Sequence, residues 1–347
     1  MANTIQKRGD DFYAKGLYNN AEESYNKALQ NLWKDKQYSL LEEADIRTKL
    51  AMSLQAQGNY IEALNNFNIV LQTRIKLLGD LSLLTATSYN NLGSVIEAMG
   101  DYELAGTYYR RAINTLEKTN DRNTLEMAST LNNFGMLLER QGDLEQARFY
   151  LERAMDILSL HPASSIVRTK IMVNLSDIHN SIGEHETAYK YLKKAREFYQ
   201  TMFGYSHPET AGVINNIGSV MVAQGRFEEA RRYYQEAQEI WMNTLGKDNP
   251  VLAQSWNNLG TVSFHMGDYD QARNYFEQSL IAHKQIIGLH HAETGRVVNN
   301  LAATYALKGD IVTARRLYQE ALAILDDTLG TDHQLTKQVR DDLRSLN

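Results

Sequence analysis

Residues 89–112 read YNNLGSVIEAMGDYELAGTYYRRA, and this stretch decides the fold. Tyr89, Leu92, Gly93 and Ile96 recur at spacings of three and four, the apolar stripe of one helix. Gly100 breaks that pattern, Asp101 stands where an N-cap belongs, and Tyr102, Ala105, Tyr109 and Ala112 form the stripe of a second helix. The unit is therefore a helical hairpin that turns at a glycine. It returns along nearly the whole chain: Gly16, Gly58, Gly100, Gly142, Gly183, Gly225, Gly267 and Gly309 follow one another at six intervals of 42 residues and one of 41. A period of that length marks a repeat architecture.

Two further registers keep time with the glycine. Ala21, Ala63, Ala105, Ala147, Ala188, Ala230, Ala272 and Ala314 lie early in the second helices, where so small a side chain permits close helix approach. Seven residues before each turn stands another small residue, Gly9, Ala51, Gly93, Gly135, Ser176, Gly218, Gly260 or Ala302. Nine residues after it comes a bulky one, Tyr25, Phe67, Tyr109, Leu151, Leu192, Tyr234, Phe276 or Tyr318, expected to fill the gap between hairpins. One hairpin cannot bury both of its stripes, so neighbours must stack into a quasi-one-dimensional solenoid. Residues 1–347 are expected to form one such domain, all-α and without a linker. Residues 331–347 resume a first-helix pattern in Leu335, Val339, Leu343 and Leu346, and are expected to close the stack as a charged capping helix.

These residues resemble the tetratricopeptide repeat (TPR) family, whose pattern is a large residue, Leu-Gly, an aromatic, then Ala, a bulky residue and Ala. Trp256, Leu259, Gly260, Phe264, Ala272 and Phe276 match it, with Ser279 in place of the last alanine. The paired asparagines before Leu-Gly, and joins such as Leu245-Gly246-Lys247-Asp248-Asn249-Pro250, look like the 42-residue repeats of kinesin light chains and many bacterial relatives. The resemblance covers residues 3 to 346. It implies about eight hairpins wound into a right-handed α-solenoid of about one superhelical turn, with first helices lining the concave wall. No heptad segment precedes the repeats, so pairing with a kinesin heavy chain is not expected.

Composition narrows the function. The net charge of −6 is spread in mixed sign with no Lys/Arg run, so a phosphate-binding face and a nucleic-acid partner are not expected. No stretch approaches the roughly 20 apolar residues of a membrane span, and the first residues hold no apolar run of signal-peptide length. The absence of cysteine excludes disulfides and thiolate chemistry and fits a cytoplasmic setting. There is no phosphate loop, no His-Glu-x-x-His and no nucleophile elbow, so no catalytic residue, cofactor or enzyme activity is expected. His283, His290 and His291 are the densest histidines, yet no ligand spacing accompanies them and no metal is expected.

The informative position lies nine residues before each turn glycine: Lys7, Lys49, Asn91, Asn133, Asn174, Asn216, Asn258 and Asn300. Asparagine disfavours a helix interior by up to about 0.7 kcal/mol relative to alanine, so its persistence needs an offset. An amide both donates and accepts, and a file of amides suits the backbone of an extended peptide. Related repeats use such a ladder for peptide cargo. The other reading is that the asparagines bond between adjacent helices. A second row, Asn90, Asn132, Asn215, Asn257 and Asn299, is broken by Val173 and is read as bonding across to the neighbouring repeat. Lys7, Lys49, Arg140, Lys170 and Arg296 are candidate groove charges. The clamp by which some relatives hold a C-terminal aspartate needs a lysine ten before the turn, where this chain has Gln6, Thr48, Asn90, Asn132, Val173, Asn215, Asn257 and Asn299. The expectation is a non-catalytic scaffold for another protein or an extended peptide. The alternative is a regulatory, sensor or inhibitory subunit of a multicomponent system with a protease or nucleotide-switch effector.

Overall fold

The computed structural model describes residues 2–119, 121–161, 165–246 and 249–346, and among them are seventeen helices and no strand. Lys247, Asp248 and Asn347, each part of a join or cap named above, lie outside the described residues. The chain divides into two compact units, residues 1–178 and 179–347. The first holds α1 (Ala2–Ala14), α2 (Tyr18–Leu32), α3 (Leu40–Ala56), α4 (Tyr60–Leu78), α5 (Leu83–Ala98), α6 (Tyr102–Lys118), α7 (Leu125–Arg140) and α8 (Leu144–Ser159). The division falls within α9 (Ser165–Ser181). The second unit holds α10 (His185–Phe203), α11 (Pro208–Ala223), α12 (Phe227–Leu245), α13 (Val251–His265), α14 (Tyr269–Ile286), α15 (Ala292–Leu307), α16 (Ile311–Leu329) and α17 (Gln334–Ser345). Odd-numbered helices up to α15 are the first helices of the repeats.

Each hairpin turns where the sequence places its glycine. All eight turn glycines have φ between 71° and 90°, a region that residues with a Cβ avoid. At Gly100 the amide donates to the Glu97 carbonyl at 2.9 Å, and Asp101 caps α6 by accepting from the Leu104 amide at 3.0 Å. Asp143, Asp268 and Asp310 cap α8, α14 and α16 in the same manner at 3.1 Å.

The joins between repeats carry a second glycine series. Gly79, Gly204, Gly246, Gly288 and Gly330 end the second helices at φ of 83° to 93°. Buried Thr85, Thr210 and Thr294 donate their hydroxyls back to the carbonyls of Gly79, Gly204 and Gly288 at 2.8–3.0 Å. The next helix then opens on a side-chain cap. His207, His291 and His333 each accept through Nδ1 from an amide two residues on, at 3.2 Å, and Pro208 occupies the first turn of α11, where it forfeits no helical bond.

The bulky residues meet their own hairpin as well as the next one. Tyr25, Tyr109, Leu151, Tyr234 and Phe276 lie against the small residue of their own first helix, while Tyr109 also faces Phe134 of the next hairpin with ring centroids 6.3 Å apart and Phe276 shares a core cluster with Val298 and Leu301. A Cβ added at Gly9, Gly93, Gly218 or Gly260 would stand 2.6–2.7 Å from the ring of Tyr25, Tyr109, Tyr234 or Phe276. Glycine is thus the space into which the ring fits. The eight register alanines are fully buried beside these contacts. α17 packs on the core of the second unit: Val339 is fully buried, Leu335, Leu343 and Leu346 lie against that core, and Arg340 donates to Asp326 at 3.1 Å.

Two glycine substitutions separate packing from propensity. Gly93→Val drives a branched side chain into the Tyr109 ring and is expected to lower unfolding free energy by about 1–3 kcal/mol. Gly212→Ala, within α11 with nothing near its added Cβ, is expected to raise it by up to about 1 kcal/mol. Urea denaturation of the two variants checks both signs.

Candidate functional site

The six ladder asparagines sit half-buried on first helices, Asn91 on α5, Asn133 on α7, Asn174 on α9, Asn216 on α11, Asn258 on α13 and Asn300 on α15. Four of them donate Nδ2 to the second-row asparagine one repeat earlier. Asn133 bonds Asn90 Oδ1 at 3.1 Å, Asn174 bonds Asn132 Oδ1 at 2.7 Å, Asn258 bonds Asn215 Oδ1 at 3.0 Å and Asn300 bonds Asn257 Oδ1 at 3.0 Å. Bonds within a pair lengthen the chains: Asn132 donates to Asn133 at 3.3 Å, and Asn215 to Asn216 at 3.4 Å. The second row is therefore the acceptor of the first, the cross-repeat role expected for it. For Asn91 the position one repeat earlier is Thr48, and for Asn216 it is Val173, so neither finds an asparagine there.

This bonding supplies the offset that a helical asparagine needs. A neutral hydrogen bond contributes about 0.5–1.5 kcal/mol net, enough to cover the propensity deficit. It uses one of the two Nδ2 hydrogens and leaves further amide capacity on a half-buried line.

The residues one turn on are Ser94, Met136, Asp177, Ser219, Thr261 and Ala303. Asp177 is the acid among them, and its carboxyl is pushed up to about 7, first by burial and then by Glu139. In the first unit a cleft of about 480 Å³ is bordered by Tyr13, Met52, Phe67, Asn91, Ser129 and Asn133. In the second, one of about 450 Å³ is bordered by Phe264, Asn299, Asn300, Tyr318, Asp342 and Leu346.

Three of the five candidate groove charges have acidic neighbours. Lys49 pairs with Asp10 at 2.7 Å, and Asp10 also accepts the Tyr25 hydroxyl at 2.8 Å. Arg140 lies 3.4 Å from Glu97, which accepts the Tyr109 hydroxyl at 2.8 Å. Exposed Arg296 lies 3.6 Å from Glu293, a weak surface pair. Lys7 and Lys170 are exposed on α1 and α9. The histidines serve elsewhere: His291 caps α15, buried His283 donates Nδ1 to the Ser279 carbonyl at 2.9 Å, and exposed His290 stands 3.7 Å from Asp327. No helix among the described residues is long and apolar enough to cross a membrane.

The hairpins, their 42-residue register and the double asparagine row define an all-α helical-repeat protein. A model of the tetratricopeptide repeat matches residues 42–95, 84–159, 168–241, 209–280 and 251–327, and the chain belongs to that family. No curated protein matches the sequence. Its fold is similar to a chain of the APC/C hetero-tetramer Cut9-Hcn1, with TM-score 0.65 and 17% identity over 99% of this chain and 55% of that one. It is equally similar to the STAND protein with a tetratricopeptide repeat sensor PH0952 from Pyrococcus horikoshii, at TM-score 0.65 and 13% identity over 100% of this chain and 50% of that one. The repeats of a kinesin light chain from Podosopora anserina align at TM-score 0.50 and 17% identity, covering 61% of this chain and 100% of that one. The chain spans about half the length of the first two, and at these identities the likeness is one of fold.

Asp177 makes stability depend on pH. Its carboxyl titrates near 7 when folded and at about 3.8 when unfolded, so between these values the folded state holds a proton that the unfolded state has lost. Raising pH through that window removes stability, and above it the loss is complete. Comparing urea midpoints of wild type and Asp177→Asn at about pH 5 and about pH 8 is expected to show the variant relatively more stable at the higher pH. Equal differences at both would contradict the shift.

Proposed function

We propose that this chain is a non-catalytic scaffold that holds an extended segment of a partner protein along the first-helix face, with Asn91, Asn133, Asn174, Asn216, Asn258 and Asn300 as its backbone-reading amides. The observation that carries the reading is the pair of asparagine rows. Bonds to the preceding repeat orient four of the ladder amides while the side chains stay half-buried, so within each unit their remaining polar groups are pre-set. Pre-set donors and acceptors bind a backbone without first losing side-chain freedom. With Asp177 holding its proton up to about pH 7, the row beside the ladder stays close to neutral and suits a segment read by its backbone. Lys7, Lys170, Arg296 and, through their acidic partners, Lys49 and Arg140 would adjust the preference for charged side chains. In a second reading the captured partner is an effector and the chain its sensor or inhibitory subunit, as the repeats of the STAND protein are named a sensor.

Truncating the ladder would also break bonds between repeats, so obstruction is the cleaner test. Ser129 is exposed on α7 one turn before Asn133, and Gly212 stands in open space one turn before Asn216. A Ser129→Arg/Gly212→Arg chain should fold normally yet fail to recover the partner that wild type recovers from native lysate, identified by mass spectrometry. A chain with Phe149→Arg, at an exposed position on α8, should recover it as wild type does. Recovery by all three would move the site off the first-helix face. The identity of the captured protein decides between scaffold and effector subunit.

A further inference from the structure

We infer that the cleft at the α15–α17 end of the second unit is a pocket for a lysine side chain of a partner protein, its ammonium held by Asn299 and Asp342. This deepens the partner-binding reading and rests on it.

The argument starts from register. Asn90, Asn215 and Asn257 each accept from the asparagine 43 residues later, and Asn132 from the one 42 later. Asn299 is the last of the acceptor row, and 43 residues after it stands Asp342, on α17. A carboxylate has no N–H to offer, so the series ends without its donor. Asn299 is only 8% exposed, and no described residue donates to its Oδ1. A buried carbonyl left so is costly, and a ligand that brings a donor gains what the fold forgoes.

Asn299 and Asp342 border the same cleft of about 450 Å³, whose other walls include Phe264, Leu307, Tyr318 and Leu346. Burial and the neighbouring Asp341 hold the Asp342 carboxyl above the usual carboxylate range, a disadvantage that an arriving cation relieves. The chemistry asks for a positive group made of donors alone, on an apolar stem. A lysine meets this, its four-carbon chain lying on the aromatic and aliphatic walls and its three N–H groups reaching separate acceptors. An arginine presents a rigid planar fork suited to one carboxylate, whereas here the acceptors belong to two side chains on two helices.

The test titrates the full chain with Nα-acetyl-lysine amide and follows the side-chain amide resonances of Asn299 and Asn300 by NMR. Nα-acetyl-norleucine amide, which keeps the stem without the ammonium, and Nα-acetyl-arginine amide serve as comparisons. Lysine amide should shift Asn299 saturably and norleucine amide should not. Asp342→Asn restores a donor in register with Asn299, so it should melt no lower than wild type and bind lysine amide at least about tenfold more weakly. Equal shifts with lysine and norleucine, no shift with either, tighter binding of arginine, or undiminished binding by Asp342→Asn would each overturn the pocket. The Ser129→Arg/Gly212→Arg chain should still bind lysine amide, so failure of the pocket and failure of the ladder are read separately.

Discussion

Four of the eight hairpins depend on a contact between a ring and a missing side chain. Where Tyr25, Tyr109, Tyr234 and Phe276 press against Gly9, Gly93, Gly218 and Gly260, a methyl group would already collide. Dispersion attraction is gained only at close approach, so the glycine sets how near the two helices lie and the ring sets how much area they bury. The fully buried alanine early in each second helix keeps that distance short. With the hairpin closed, its outward stripes remain apolar, and only stacking of the next hairpin covers them.

That constraint also positions the face read as the site. Because every first helix meets its partner through the same register, residues nine before the turn fall on equivalent places in successive repeats. Asn258 and Asn300 thereby reach Asn215 and Asn257 at the same 3.0 Å. The asparagines are at once a seam between repeats and a line of oriented amides. The line ends where Asp342 takes the place of an asparagine and Asn299 is left without a donor among the described residues.

Period, turns and cap were legible in the sequence because they depend on local chemistry: a glycine at positive φ, an aspartate N-cap, a small residue against a large one. The capping role of Asp101 follows from residues within a few positions of it, since it accepts from the Leu104 amide. Three features were not legible. The rings press on the small residue of their own first helix as well as facing the next hairpin, since helical periodicity gives the face a residue occupies and not which neighbour meets it. The histidine caps at His207, His291 and His333 are weak signals, because histidine is uncommon in that role and the acceptor is one ring nitrogen. The second row is read from sequence as bonding across to the neighbouring repeat, but its partner, the ladder asparagine 42 or 43 residues on, lies at a distance that only the stacked structure spans. A shared register with the Asn132/Asn174 and Asn257/Asn300 spacing was the available clue, and Val173 obscured it.

The most direct test of the account is a double-mutant cycle on Asn257 and Asn300, measured by urea denaturation of the two single alanine variants and the double variant. If the ladder is a seam of hydrogen bonds, the pair carries a coupling energy of about 0.5–1.5 kcal/mol. Strict additivity would mean that the two amides stand side by side without bonding, and the oriented line of donors and acceptors would lose its basis.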